Sequence, residues 1–424
     1  MAKELNIIWV INIVLPEAAR QLGLPVPVVG GWLSAYRESL RALAPSQRLT
    51  IVSPYAGDRP LEATVGGDLH YLFPEQSKAQ QRRQWFHDLV VRRQPDVVHL
   101  HGSEYPHAFD FLSVCDPAHV VLSIQGLVSV YANYYYGGMT PWERLRHTTL
   151  RDLLRRDILP LQRLRFVHNG VLERRMIAQV GSVIGRTDWD HAHCCAIHPE
   201  VRYFACNEPL RTEFYTAQWE RTQCFAAPTI FVSQAHYPLK ALHQVLKALP
   251  PVIARYPDLQ VHIAGNNLMD KPAIKRSTYG YYLKRLAEQL HLTPHLRYLG
   301  PLTAPQMVEQ YLGARLFISP SCIENSSNSI CEAQLVGTPV IASYVGGTAD
   351  LIDHRRTGLL YRFEETAMLT DYILELLSHD DLCRTLSAEE RAVALVRHDH
   401  PHIACRLMEI YQTVADHPTN PRAL

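Results

Sequence analysis

The chain lacks most of the features that would settle a function on inspection. It has no Cys-x-x-Cys pair, and its nine cysteines, an odd number, suggest neither a disulfide framework nor a zinc-finger spacing. A reducing compartment, the cytosol, is therefore expected. No run of eighteen apolar residues occurs, so no bilayer span is expected. The opening MAKELNIIWVINIVL is apolar for too short a stretch, carries Glu4 and Asn6, and is followed by no small-residue cleavage site, so it reads as a first buried strand. Charge of one sign is missing as well: 42 Lys and Arg against 41 Asp and Glu leave +1, too little to favour nucleic acid as a partner. No Gly-x-Gly-x-x-Gly follows the first strand, which sets a nicotinamide dehydrogenase aside. No Asp-x-Asp is read as poised at a strand end, and no metal or other cofactor is expected. Internal repeats and low-complexity tracts are absent.

What is present is length and alternation. At 424 residues the chain exceeds one comfortable core and favours two domains. Short β-branched runs (NIIWVINIV, RLTIVSP, PDVVHLHG, HVVLSIQG, then PTIFVSQ, LQVHIAGN, LRYLG, RLFISPS, TPVIASYVGG) alternate with amphipathic helix-length segments such as PLKALHQVLKALPPVIARYP. That alternation, occurring twice, is the mark of parallel sheets covered by helices on both faces. The expected fold class is α/β, with two Rossmann-like doubly wound domains facing a cleft. The expected boundaries are residues 1–215 and 222–399, with a linker in Phe214 to Pro228 and a helix and tail over 400–424. That last helix can pack on either domain, and a return to the N-terminal one is the expectation.

The most informative stretch is SPSCIENSSNSICEAQLVGTPVIASYVGG, Ser319 to Gly347. RLFISPS ends a strand, Gly337 and Pro339 stop a helix, and PVIAS is the next strand, so a helix must start near Ser326 to Asn328. First-turn amides beyond such a cap have no intrahelical partners and can hold an anion. Glu324 precedes this helix and Glu332 lies inside it. A carboxylate beside a phosphate site is repulsive unless it accepts hydrogen bonds from sugar hydroxyls, which predicts a sugar attached to a phosphate. The bland alternatives are a capping role for Glu324 and a solvated helix face for Glu332.

The spacing Glu324-x(7)-Glu332, followed by AQLVGTPVIASYVGG and LIDHRRTGLLY, resembles the donor-binding region of retaining GT-B glycosyltransferases, in particular glycosyltransferase family 4. The resemblance implies that Glu332 takes the ribose hydroxyls of a nucleotide sugar, that Glu324 lies by the transferred sugar, and that the helix start at Asn328 and Ser329 faces the phosphates. Lys240 in FVSQAHYPLKALHQVLKAL resembles the family's phosphate-binding lysine, a point cation for the leaving diphosphate. Gln234 stands where the family usually has an arginine. In the first domain, Gly30 and Gly31 in PVVGGWLSAYRESL resemble its glycine loop facing the diphosphate. VVHLHGSEYPHAF places His99 and His101 on one face of a strand, one packed and one at the functional end, with His101 the choice. Gln125 occupies the place of a family histidine; it can hydrogen-bond but carries no proton. Glu104 and Arg186 are assigned with His101 and Gln125 to the acceptor or sugar side.

Two clusters remain. His191, His193, Cys194, Cys195 and His198 are plausible zinc ligands at an unsuitable spacing, and the metal assignment is none. Arg144 to Arg175 holds nine arginines against Asp152, Asp157 and Glu173, interleaved with leucines. It is either a solvated helical surface or a basic amphipathic one for anionic lipid. The expectation is thus a metal-independent hexosyltransferase moving a sugar from a nucleotide diphosphate donor to a carbohydrate acceptor. That acceptor is free or lipid-linked, as in surface polysaccharide synthesis, and the enzyme is cytoplasmic or peripheral at the inner membrane face through residues 144–175. The alternatives are a GT-B-like nucleotide-sugar epimerase, which would convert donor alone, and a catalytically silent sugar-nucleotide sensor or partner subunit, which would bind without turnover.

Overall fold

The computed structural model describes residues 4–27 and 30–419. The chain folds into two compact units. One comprises the chain through Val130, Val167–Leu210 and the chain from His398; the other comprises Tyr131–Phe166 and Arg211–Arg397.

The first unit is built on an eight-stranded sheet. Its strands are β1 (Asn6–Val10), β2 (Arg48–Tyr55), β3 (Leu61–Val65), β4 (Asp68–Pro74), β5 (Val97–His101), β6 (Val120–Ser123), β7 (Ser182–Gly185) and β8 (Arg202–Ala205). They lie in the order β3-β4-β2-β1-β5-β6-β7-β8, and every pairing is parallel except β3 with β4. β1 is central, with Trp9 opposite Ile51 on one side and His99 on the other, and Ile7, Ile8 and Trp9 are fully buried. Continuous apolar runs such as this are what a strand covered on both faces requires. The β3–β4 hairpin turns at Gly66 and Gly67, whose φ values of 57° and 85° are those of a two-residue turn.

The final helix, His400–Asp416, packs in this first unit. Its apolar positions Ile403, Leu407, Ile410, Tyr411 and Val414 fall on one helical face and join a core with Ile7, Trp9, Leu33 and Tyr36. Trp9 Nε1 donates to the Tyr411 hydroxyl at 2.8 Å, inside that core.

The second unit holds a six-stranded, all-parallel sheet. Its strands are β9 (Thr229–Val232), β10 (Gln260–Ala264), β11 (Leu296–Gly300), β12 (Leu316–Ser319), β13 (Val340–Ser343) and β14 (Leu359–Tyr361), in the order β11-β10-β9-β12-β13-β14. Strand order reverses between β9 and β12 here, and between β1 and β5 in the first unit. Ligands of such sheets gather outside the carboxyl ends of the strands at these reversals.

Residues 131–166 belong to this second unit because polar contacts tie them to it. His243 Nε2 lies 2.8 Å from the Gly137 carbonyl, the Tyr282 hydroxyl donates to Glu143 at 3.0 Å, and the Thr278 amide donates to Asp152 at 2.6 Å. The stretch Phe214–Pro228 also lies in this unit. Phe214 is fully buried against Tyr311, and the Trp219 indole donates to the Ala314 carbonyl at 2.8 Å.

Candidate functional site

In the second unit, the loops leaving β9 and β12 carry the first cluster. Lys240 closes the single turn Pro238–Lys240, and Ala241, in the left-handed region at φ 49°, starts the helix Leu242–Arg255. Glu324 lies in the loop after β12. Lys240 Nζ and Glu324 Oε1 form an ion pair, and Ser321 Oγ donates to the same oxygen at 2.7 Å. Burial works against the ammonium, but Glu324 and Tyr237 outweigh it and raise the Lys240 pKa, so the cation is firmly held. A small polar recess is lined by Gln234, Lys240, Ser321, Glu324, Ser327 and Ser329. Gln234 is exposed at its rim.

The helix Asn328–Val336 points its N-terminus into this recess. Ser327 caps it in position but makes no side-chain capping bond. The C-terminal end is set by Gly337, at φ 83°. Glycine is also required at Gly346 (φ 51°), where a Cβ would lie 1.9 Å from the Glu324 carbonyl oxygen; the Gly347 amide donates to that same oxygen at 3.1 Å. The loop holding Glu324 is thus clamped from the β13 side.

Glu332 lies one turn further along the helix and is buried rather than on a solvated face. Arg211 Nη2 donates to its Oε1 at 2.9 Å, and the Tyr311 hydroxyl lies 3.4 Å from Oε2. Burial raises the Glu332 pKa, and Arg211 offsets part of the rise. Asn328 is the first residue of the helix, and Ser329 the second.

In the first unit, the ends of β1, β5 and β6 carry the second cluster. Gly30, at φ 74°, starts the helix Gly31–Leu43, and a Cβ there would meet Ile13 Cδ1 at 2.2 Å. His99 and His101 share a face and stack with ring centroids 3.6 Å apart. His99 uses both nitrogens, 2.6 Å from the hydroxyls of Tyr411 and Ser123. His101, buried beside Trp9, Trp32 and Tyr36, has no hydrogen-bond partner on either nitrogen among the described residues. Burial holds both rings neutral: His99 falls to about 3, and His101 well below its usual value with His99 adding to the effect.

Glu104 and Gln125 flank Gly102, where an added Cβ would lie 2.4 Å from Glu104 Oε2 and 3.7 Å from Gln125 Cγ. Glu104 Oε2 is buried without a hydrogen-bond partner among the described residues, and burial pushes the carboxyl up to about 8. Gln125 is tied down: its side-chain amide donates to Glu208, its backbone carbonyl accepts from Arg186 at 3.2 Å, and Arg186 pairs with Glu208 at 2.7 Å. The sequence-derived residues therefore fall into two groups: Lys240, Glu324, Gln234, Ser329, Asn328 and Glu332 in one unit, and Gly30, Gly31, His101, Glu104, Gln125 and Arg186 in the other.

Four contributors were not foreseen. Ser321, three residues before Glu324, was readable as a local partner. Arg211 and Tyr311, which hold Glu332, and Glu208, which holds Arg186 and Gln125, come from distant segments. The spacing Asp188-Trp189-Asp190 opens the helix Asp188–Ile197, two residues after β7. Its two carboxylates do not converge. Asp190 is buried and accepts from the Tyr203 hydroxyl and, at 3.0 Å, from the Arg186 amide, while Asp188 is exposed. In the neighbouring cluster, His191 lies against the Tyr203 ring, His193 against Trp189, and His198 Nδ1 lies 3.2 Å from the Ile177 carbonyl. Among the described residues no group of three or more His, Cys, Asp or Glu could hold a metal ion.

Residues 226–393 match the family model of glycosyl transferases group 1. D-inositol 3-phosphate glycosyltransferase of Corynebacterium urealyticum is 30% identical over 183 residues, 43% of this chain and 42% of the relative. Phosphatidyl-myo-inositol mannosyltransferase of Mycobacterium leprae is 27% identical over 187 residues, 44% and 46% of the two chains. The chain spans less than half the length of these curated relatives. Among solved structures, sucrose-phosphate synthase from Thermosynechococcus elongatus superposes with a TM-score of 0.69 at 15% identity, over 96% of this chain and 98% of that one. Anabaena HepE in complex with UDP-glucose gives 0.68 at 14%, over 97% and 100%. The chain therefore has the GT-B fold, and its residues 226–393 are similar to the glycosyl transferases group 1.

Proposed function

We propose that this protein is a retaining glycosyltransferase that moves a sugar from a nucleoside diphosphate sugar to a carbohydrate hydroxyl. The observation that carries the reading is the recess between β9 and β12. There a half-buried, firmly charged Lys240 meets a helix N-terminus whose cap residue Ser327 makes no side-chain bond, with Glu324 fixed beside both. A cation and a helix start aimed at one point suit a diphosphate whose charge grows as it leaves. Glu332 supplies a buried acceptor one turn on, suited to ribose hydroxyls. The relatives' names specify glycosyl and mannosyl transfer, and HepE was solved with UDP-glucose, which supports the same donor class here.

In this reaction the bond between the anomeric carbon and the phosphate oxygen breaks. The acceptor oxygen attacks on the face the leaving group vacates, and its proton passes to a phosphate oxygen. No protein nucleophile and no divalent ion enter; Lys240 and the helix amides carry the charge. His101, Glu104, Gln125 and Arg186 belong in this reading to the acceptor or sugar side, with the glycine loop at Gly30 and Gly31 turned to the diphosphate. The acceptor is free or lipid-linked, and a lipid-linked one would bring residues 144–175 to a membrane. Among the described residues no helix is long and apolar enough to cross one.

The test is Lys240→Ala, with turnover at saturating donor and acceptor measured beside donor affinity. Differential stabilisation of the departing diphosphate predicts a loss of turnover on the order of 100-fold, well beyond any loss of affinity. Unchanged turnover with a raised Michaelis constant would refute the assigned role. A sensor without activity, the reading that Gln125 and Gln234 favour, would bind donor and turn over none with any acceptor.

A further inference from the structure

The short helices Pro141–Arg146 and Leu150–Leu154 of the second unit carry an inverted surface. Trp142, Leu145, Leu150, Leu153 and Leu154 are 66, 69, 70, 56 and 76% exposed, all within thirteen residues of sequence. The acids of the same segment turn inward or are taken up. Glu143 accepts from the Thr140 amide at 2.7 Å and from the Tyr282 hydroxyl, and Asp152 is wholly buried under the Thr278 amide. Asp157 pairs with Arg151 and Arg165. Arg146, Arg155 and Arg156 are exposed and take part in no ion pair among the described residues. A face meant for water would show the reverse, with carboxylates outward and leucines packed.

We propose that this face docks on the interface of an anionic lipid bilayer, with the leucines and Trp142 entering the acyl boundary and Arg146, Arg155 and Arg156 meeting the headgroups. The charge pattern selects this occupant. Guanidiniums without counter-charges beside large apolar tips need negative charge and hydrocarbon within a few ångströms of depth, which an anionic interface supplies. Nucleic acid has no use for the leucines, and a two-fold contact with a second copy would set the same arginines against one another. The docking does not depend on the transfer reaction.

The experiment is sedimentation of the full chain with phosphatidylcholine vesicles, with and without phosphatidylglycerol, at low and high salt, with nucleoside diphosphate affinity and oligomeric size measured alongside. Wild type is expected to sediment with the anionic vesicles, less so at high salt, and to leave pure phosphatidylcholine largely unbound. Substituting Leu150→Ser, Leu153→Ser and Leu154→Ser together should lower the partition at least about tenfold while thermal stability and nucleotide affinity hold. Substituting Arg155→Gln and Arg156→Gln together should flatten the salt dependence. Trp142 emission should shift to the blue on adding anionic vesicles, a change absent from Trp142→Phe. No sedimentation with anionic vesicles, or equal sedimentation by wild type and the leucine variant, would overturn the proposal. So would a leucine variant whose main effect is a smaller particle without lipid, which would make the face a contact between copies.

Discussion

At the scale of single residues, the two carboxylates of the second unit differ in what sustains them. Glu324 shares Lys240 and Ser321, a local arrangement, whereas Glu332 relies on Arg211, 121 residues away in sequence. Removing that arginine leaves a buried carboxyl without its counter-charge, so its pKa climbs further. Arg211→Gln is expected to weaken nucleoside diphosphate binding by about tenfold, with affinity recovering as pH is raised because only the ionised form accepts well from ribose hydroxyls. Calorimetry across neutral pH checks this; a pH-independent loss would mean that Arg211 acts by packing alone. Glu390 makes a second case. It is fully buried, and burial raises its pKa well above the usual range, with the Val340 amide offsetting only a little. Because the folded-state pKa lies above the unfolded one, the protonated carboxyl carries no ionisation penalty at acid pH, and stability falls as pH rises past the unfolded value near 4.3. Glu390→Gln should therefore match wild type in acid and exceed it by about 1 to 3 kcal/mol at neutral pH, as urea denaturation at several pH values would show. Glu324 and Lys240 were legible because their strand-to-helix settings are local patterns. Arg211 was not, because nothing within its own segment marks it.

At the scale of elements, the helix start predicted near Ser326 to Asn328 is found at Asn328, and the glycine stop at Gly337 is where the pattern put it. Flanking signals lie within a few residues there, so sequence suffices. The β3–β4 hairpin went unread although Gly66-Gly67 is a strong turn signal and Leu61–Val65 alternates apolar and polar residues; the strand itself is largely exposed. β7, β8 and β14, of four, four and three residues, went unread as well, unlike the equally short β6, β9, β12 and β13. One helix end is completed from far away: Thr278–Gln289 receives at its first amide the carboxylate of Asp152, 126 residues earlier, while Ser277 accepts from the Gly280 amide at 3.2 Å. Asp152→Ala should remove that cap and cost about 1 to 2 kcal/mol, with faster hydrogen exchange at the start of the helix and earlier proteolysis within residues 131–166. Exchange unchanged at Thr278–Gly280 would show that the carboxylate contributes nothing there.

At the scale of the whole molecule, each unit is assembled from stretches that are separate in sequence. The helix His400–Asp416 completes the first unit, and residues 131–166 join the second. Ending the chain after Arg397 should expose the core lined by Ile7, Trp9, Leu33 and Tyr36. Each large side chain of the lost helix contributes roughly 1.5–3 kcal/mol of burial, so the joint loss rivals the 5–15 kcal/mol net stability of a whole domain. Circular dichroism and limited proteolysis of the truncated chain should find the first unit unfolded or insoluble; a cooperative native-like melt would show the helix to be dispensable. The sequence by itself determined the α/β class, the two parallel sheets, the strand-to-helix placing of Lys240 and Glu324 and the helix between Ser327 and Gly337, because periodicity, caps and glycine stops act over a few residues. Tertiary structure alone decided where the last helix and residues 131–166 pack, that Glu332 is buried against Arg211, and that His99 is consumed by Tyr411 and Ser123 while His101 is left without a hydrogen-bond partner among the described residues. Those outcomes depend on which buried surfaces and polar groups meet across more than a hundred residues, and no local pattern encodes such a meeting.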